Sequence, residues 1–310
     1  MVDVFDRVRV ASEGRLDIKC SPVGEIVPYG DELLALKDGV IDMCWSGMQG
    51  AHTIAGTVAY IIAPCGLPGS PGPIGLLAWY YAGDGEEMYN ELVKDYGISI
   101  GCITGQAELF CHSNVKLESA EDFRGIKFRT YGMWGEILEE EFGASVVTLS
   151  GGEIYEAVAR GLIDAFEYTV PSMNWPAGFH EVTKYVGVPG IHSPGWVSYQ
   201  VVNRDSWSAL PPALQQILKD EIAAYTTRNF LVDWFADGEA MEKYKEYGTE
   251  IVTLSLEFQE EIARLGKKYC EKYADEDPLF KKVYENQKEF FKTFRGVKEV
   301  VQPKYCLFDY

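Results

Sequence analysis

The sequence predicts an α/β protein built as two similar lobes that close on each other as a clamshell, tied by a long strut helix. Three observations carry this. A chain of 310 residues is longer than one hydrophobic core usually serves, because single cores stop growing at roughly 250–300 residues. Short β-like runs alternate with helical ones from residue 15 to residue 166, the signature of helices packed on a central sheet. A strand, turn, helix, Gly, strand segment occurs twice, once from Gly24 and once from Gly152.

Taken in order, Val2, Phe5 and Val8 to Val10 at near-helical spacing open the chain as a helix. That is an abrupt start for an α/β domain and points to residues upstream. Strands over 15–19 and 41–45 flank a helix over 31–37, and a helix over 75–96 leads to a strand over 98–103. The second series has strands over 125–130, 146–149 and 163–166, with helices over 134–142 and 154–160. In the repeat, Gly24-Glu25-Ile26 leads to Ala35-Leu36-Lys37-Asp38-Gly39-Val40-Ile41-Asp42, and Gly152-Glu153-Ile154 to Ala157-Val158-Ala159-Arg160-Gly161-Leu162-Ile163-Asp164. Glycine just past a helix adopts the left-handed conformation without a Cβ penalty and turns the chain back into a strand. Two facing lobes leave a cleft at their junction, a preferred place for a small-ligand site.

The last third differs. Pro211-Pro212 opens a helix over 213–247, long enough to cross both lobes. A strand over 250–254 follows, then helices over 256–273 and 278–294 with apolar residues at helical spacing. Packing on the lobes is the default role of these two helices, and a homodimer contact the alternative. The expected division is a first lobe of residues 1–122 plus about 208–248, and a second of 123–207 plus about 249–310.

Composition narrows the function. With 47% hydrophobic and 24% charged residues the chain can bury substantial cores. Its longest apolar stretch, around 57–67, is broken by Pro64 and Gly66 and is far short of the roughly 20 residues that span a bilayer. A net charge of −19 excludes a nucleic-acid backbone as partner, since like charge repels. The seven cysteines are widely spaced with no C-x-x-C pair, and read as buried inert thiols rather than a disulfide framework or zinc site. The N-terminus lacks the basic, apolar and small-residue run of a secretory signal, so the protein is either cytoplasmic or shorn of its leader.

No G-x-S-x-G, phosphate-binding loop, dinucleotide glycine motif or H-E-x-x-H is present, and His52, His112, His180 and His192 are scattered without metal-ligand spacing. The segment Asp122-Phe123-Arg124-Gly125-Ile126-Lys127-Phe128-Arg129-Thr130 says more. Strand alternation buries Ile126 and Phe128 on one face and leaves Arg129 at the strand end, before a helix begins. An Arg fork beside a helix N-terminus outlines an anion site, with a surface Arg or structural salt bridge as the competing reading. Glu167 and Tyr168 follow the strand over 163–166, where a carboxylate can hold a hydroxyl, a metal ion or a basic neighbour. Trp134, Trp175, Trp196 and Tyr168 are candidate pocket walls, against the core packing that usually claims such rings.

The ordered set Asp122 to Arg129, Phe142-Gly143-Ala144, Gly151 to Asp164 and Asn203-Arg204-Asp205-Ser206-Trp207-Ser208-Ala209-Leu210-Pro211 resembles the DctP-type TRAP transporter solute-binding proteins, and within them the α-keto acid binding branch. The resemblance covers nearly the whole chain. It implies a periplasmic-binding-protein-like, type II clamshell outside the cytoplasm, which is no enzyme, closes on a small organic acid and delivers it to membrane subunits. The family's D-x-x-G-x-K-x-R arginine, which bridges to the ligand carboxylate, matches Arg129. The branch's Glu-Trp pair beside a bound metal matches Glu167-Tyr168, which implies calcium or sodium there. Ser193 stands where the branch has a further metal-binding Glu, leaving two oxygen donors where calcium takes six to eight. Gln106 and Glu108 match a region facing the cleft from the first lobe, and Asn203 joins the candidates. Beyond the metal no cofactor is implied. The aromatic residues point to an acid bulkier than pyruvate. The competing classes are a hydrolase or lyase using Glu167 as base, and a sensor that kept the fold and lost its ligand.

Overall fold

The computed structural model describes residues 2–301, so Cys306 and the end of the expected second lobe, 302–310, lie outside the described residues. Two sheets organise the chain. The strands are β1 (Met43–Ser46), β2 (Ile98–Gly105), β3 (Cys111–Ser113), β4 (Lys127–Arg129), β5 (Ser145–Val147), β6 (Ala165–Phe166), β7 (Tyr185–Val188), β8 (Trp196–Val202) and β9 (Glu250–Thr253). The smaller sheet has the order β1-β8-β2 and the larger β5-β4-β6-β3-β7-β9. β8 runs antiparallel to both its neighbours. Val197, Tyr199, Gln200, Val201 and Val202 of β8 are all buried, as suits a central strand covered on both faces. In the larger sheet β4 is parallel to β5 and β6, while β3 is antiparallel to β6 and β7.

The chain passes between sheets twice, from Gly105 to Cys111 and from Val188 to Trp196. Both passages come before the expected lobe boundaries at 122/123 and 207/208, because β3 joins the larger sheet and β8 returns to the smaller one. The two passages lie against each other. Glu108 N donates to Ser193 O (3.1 Å), and a Cβ on Gly190 would land on the Glu108 carbonyl.

The long helix is unbroken over Pro212–Tyr247, with Pro at its first turn and Gly248 closing it in the left-handed conformation at φ 96°. Its 36 residues span about 54 Å. Near the start Ile222 fills the space above Gly101, and Thr226 Oγ1 donates to Cys102 O (2.6 Å) on β2. Further on Asp237 Oδ1 accepts from Ser172 N (2.9 Å), and Tyr244 packs with Val186 and Ile251 of the larger sheet. One helix thus braces both sheets.

The repeat holds at the helix–Gly–strand junctions. Val40 N donates to Ala35 O (2.9 Å) and Leu162 N to Ala157 O (2.8 Å), with Gly39 and Gly161 at φ 70° and 67°. It fails upstream: Gly152 enters its helix directly, whereas Gly24 lies in a turn well before Glu32–Lys37.

Two other expectations are corrected. Residues 15–19 form no strand. The chain turns at Ser12 to Gly14, and Leu16 and Ile18 pack on the cluster of Val4, Phe5 and Val8 instead of pairing in a ladder. The helix expected over 75–96 is two, Pro73–Ala82 and Gly85–Leu92. Gly83 turns extended there, and a Cβ on it would stand 2.9 Å from the Phe290 ring of the last helix.

The C-terminal helices use their apolar faces within the molecule. Leu256–Glu276 lies on Gly132–Glu140, where Tyr269 Oη donates to Glu140 (2.7 Å). Pro278–Val301 lies on Pro73–Ala82, where Trp79 Nε1 donates to Asn286 (2.8 Å). Among the described residues no helix is long and apolar enough to cross a membrane.

Candidate functional site

Register places the first two functional groups. β4 and β6 are parallel neighbours with Arg129 opposite Phe166, so the residue after Phe166, Glu167, lies beside Arg129 at the strand ends. Both side chains are buried, at 6% and 5% exposure. Arg129 Nε donates to Leu149 O (3.0 Å), and Nη1 to Glu167 O (2.9 Å) and Oε1 (3.2 Å). The Nη2 edge of the fork has no bonded acceptor among the described residues. The Tyr131 ring covers the guanidinium at 5.2 Å.

The passages between sheets bring the rest. Glu108 comes from the first, His192 and Ser193 from the second, and all three are buried. Glu108 Oε2 stands 3.5 Å from His192 Nε2 without a hydrogen bond, and both atoms are unpartnered. The Cys65 thiol donates to Glu108 Oε1 (3.5 Å) and lies 3.7 Å from the Tyr131 hydroxyl. Ser193 Oγ accepts from Gly66 N (3.1 Å). Glu108, Glu167 and His192 each bring a ligand atom to within 4.8 Å of the other two.

Burial dominates the electrostatics. It raises Glu108 to about 7, with the Cys65 and Ser193 hydrogen bonds pulling the other way. It raises Glu167 to about 7 as well, where Arg129 pulls down and the Glu108 charge pushes up. It lowers His192 to about 4, so the imidazole is neutral near pH 7 and free to accept or ligate. The Cys65 thiol beside it, together with burial, pushes the Tyr131 phenol well above its ordinary value. The site therefore combines a free guanidinium edge for an anion with two carboxylates and an imidazole for a cation. Orphaned buried acceptors at Glu108 Oε2 and His192 Nε2 are what a cation would satisfy, so the residues fit one.

Of the residues expected from sequence, Arg129, Glu167 and Glu108 meet here. Gln106 is half-buried on the same passage, with no side-chain hydrogen bond among the described residues. Trp134 is wholly buried one layer behind, against His192 (5.7 Å) and Phe110 (5.8 Å). Trp196 opens β8 with its indole over Gly105, which has no room for a Cβ. The Tyr168 ring lies over Gly151 and edge-on to Phe179 (5.3 Å), so its side chain offers the cluster nothing. Trp175 stacks on His180 (3.8 Å) and meets Tyr244 of the long helix (5.0 Å). Asn203 caps Arg204–Ala209, accepting from Asp205 N and Ser206 N while its amide donates to Leu36 O (2.7 Å). Those bonds commit it to the smaller sheet's flank. His192, Cys65 and Tyr131 were not foreseen. His192 adjoins Ser193, where the metal-binding Glu was missed, and that adjacency was the available signal.

Comparison with known proteins follows the same line. The model of a family described as bacterial extracellular solute-binding protein, family 7 (DctP), matches residues 3–277. The monocarboxylate 2-oxoacid-binding periplasmic protein of Nostoc sp. is 28% identical over 304 residues, covering 97% of this chain and 82% of that protein. Among solved structures, a TRAP periplasmic solute-binding protein from Colwellia psychrerythraea with bound calcium and pyruvate aligns with a TM-score of 0.85 at 23% identity, covering 97% and 91% of the two chains. One from Rhodobacter sphaeroides, in an apo open structure, aligns at 0.72 and 27% identity, covering 94% and 91%.

Proposed function

The chain belongs to the bacterial extracellular solute-binding proteins of family 7, the DctP family, and from this we propose that it is the extracytoplasmic receptor of a TRAP transporter, closing on a small organic acid together with a cation. One observation carries the reading: the buried junction where the Nη2 edge of Arg129 stands free beside the unpartnered atoms of Glu108 and His192.

Arg129 receives the ligand carboxylate, its fork held in place by the Leu149 and Glu167 carbonyls. Glu108, Glu167 and His192 hold the cation, calcium or sodium in the first instance. When bound it supplies the positive charge that lets both carboxylates stay ionised in a buried site. The three residues leave a calcium shell short of six to eight ligands, so a 2-oxo acid, with adjacent carboxylate and carbonyl oxygens, suits the vacancy better than a simple carboxylate. The names of the Nostoc and Colwellia relatives support that class. Glu108 would supply the carboxylate missing at position 193, which supports a metal there despite Ser193.

Each sheet with its helices is one lobe, and the hinges are the passages 106–110 and 189–195 with the long helix as brace. The higher score against the ligand-bound Colwellia structure than against the open Rhodobacter one supports reading the present arrangement as closed. Closure would then be a hinge motion that completes the site, and the membrane subunits of the transporter would recognise the closed form. The test is calorimetric titration of metal-stripped protein with 2-oxo, hydroxy, aromatic and sugar acids, with and without calcium. One acid class should bind, more tightly with calcium, be recovered unchanged, and lose ~2–5 kcal/mol of affinity in Arg129→Ala. Equal affinity in that variant overturns the assignment, and turnover of the acid would favour an enzyme.

A further inference from the structure

Glu108, Glu167 and His192 offer a cation two carboxylates and one imidazole. Each carboxylate already has one oxygen engaged. The Cys65 thiol donates to Glu108 Oε1 (3.5 Å), and Arg129 Nη1 donates to Glu167 Oε1 (3.2 Å). Each therefore presents one free oxygen to an ion and not a chelating pair. The remaining donor is a nitrogen. His192 Nε2 lies 3.5 Å from Glu108 Oε2 on a residue with 0% exposure, and neither atom has a hydrogen-bond partner among the described residues. The imidazole is wedged edge-on to Phe110 (5.5 Å) and against Trp134 (5.7 Å), which hold it beside the cluster. Next to it, Ser193 Oγ is committed to Gly66 N (3.1 Å), so the second passage brings an imidazole and no carboxylate.

Resting on the reading that these three residues hold the cation, we propose that the ion is a first-row transition metal of the zinc, iron or nickel class, and that His192 Nε2 is the donor that selects it over calcium and sodium. Calcium is a hard cation that surrounds itself with six to eight oxygens. Imidazole nitrogen suits zinc, iron and nickel instead. The donor count agrees with the donor chemistry. One oxygen from each carboxylate and one imidazole nitrogen make three protein ligands, and the carboxylate and carbonyl oxygens of a 2-oxo acid would bring the shell to five. That suits zinc, whose open sites have three protein ligands and expand from four-coordinate to five-coordinate, and it falls short of calcium. The Cys65 thiol beside Glu108 adds a soft atom at the edge of the cluster, again a match for a transition metal and not for calcium.

The experiment is calorimetric titration of the metal-stripped full chain with zinc, cobalt(II) and calcium, each with and without pyruvate, in a Cys20→Ser background that removes an exposed thiol able to take up zinc by itself. One zinc should bind per chain at least ~10-fold more tightly than calcium, and cobalt(II) in its place should show the visible absorption of a nitrogen-ligated ion. His192→Gln puts an amide oxygen where Nε2 stands and should cut the preference for zinc over calcium at least ~10-fold, the least that loss of even a supporting group costs a metal site. A parent protein that holds calcium as tightly as zinc overturns the proposal whether or not the variant folds, and so does a folded variant whose preference is unchanged. Zinc held selectively through His192 with no 2-oxo acid bound under any metal would support the metal assignment and sink the receptor reading. An acid bound equally well with calcium and with zinc would support the receptor and overturn the metal assignment.

Discussion

Replacing Glu108 with Gln keeps the side chain's shape and removes its charge, which isolates the cost of a buried carboxylate with one oxygen unpartnered. Burial holds Glu108 at about 7 against an ordinary 4.5. A carboxyl whose folded value lies above its unfolded value grips its proton more tightly when folded. That stability is complete below pH 4.5 and lost as pH rises through about 7. At pH 8 a shift of ~2.5 units at 1.36 kcal/mol each makes the ionised group cost up to ~3 kcal/mol. The neighbouring Cys65 and Ser193 hydrogen bonds already offset part of the burial cost, so ~2 kcal/mol is the expected gain for Glu108→Gln at pH 8 without metal, falling below ~1 kcal/mol at pH 5. Urea denaturation of both proteins at the two pH values, with a chelator present, measures this. Calcium added at pH 8 should stabilise the wild type and leave the variant unmoved. An equal gain at both pH values, or none at pH 8, would refute the view that the buried Glu108 charge destabilises the metal-free fold.

Further substitutions probe the passages and the flanks. Gly190→Ala would drive a Cβ into the Glu108 carbonyl, so it should cost at least ~2 kcal/mol in urea and weaken acid binding by displacing Glu108. Ser193→Glu would add a third buried carboxylate and remove the acceptor of Gly66 N, costing ~3 kcal/mol, and combining it with Glu108→Gln should recover part of that loss. Asn203→Ala should lower stability by ~1 kcal/mol through the lost cap and leave acid affinity, read by calorimetry, unchanged; a fall in affinity would return Asn203 to the site.

What the amino-acid order determined was local. Gly39 and Gly161 mark matching helix ends because a left-handed turn is decided within a few residues, and Pro211-Pro212 announces the long helix for the same reason. Alternation around Ile126 and Phe128 is enough to bring Arg129 to a strand end, and the residues after Asp164 set Glu167 at the next. Elsewhere local signals misled or fell silent. Residues 15–19 have strand-like alternation but no ladder to join, and the expected helix over 75–96 breaks at Gly83, which packs against Phe290 more than two hundred residues away. β8 completes the smaller sheet after the chain has built most of the larger one, so lobe boundaries drawn along the sequence miss both passages. Those passages assemble the candidate cluster. Glu108, His192 and Cys65 carry no shared spacing, and they meet only because the two sheet crossings press together beside the loop that carries Cys65. Only the tertiary structure could decide that, since burial and the company a buried charge keeps are properties of contacts between distant residues.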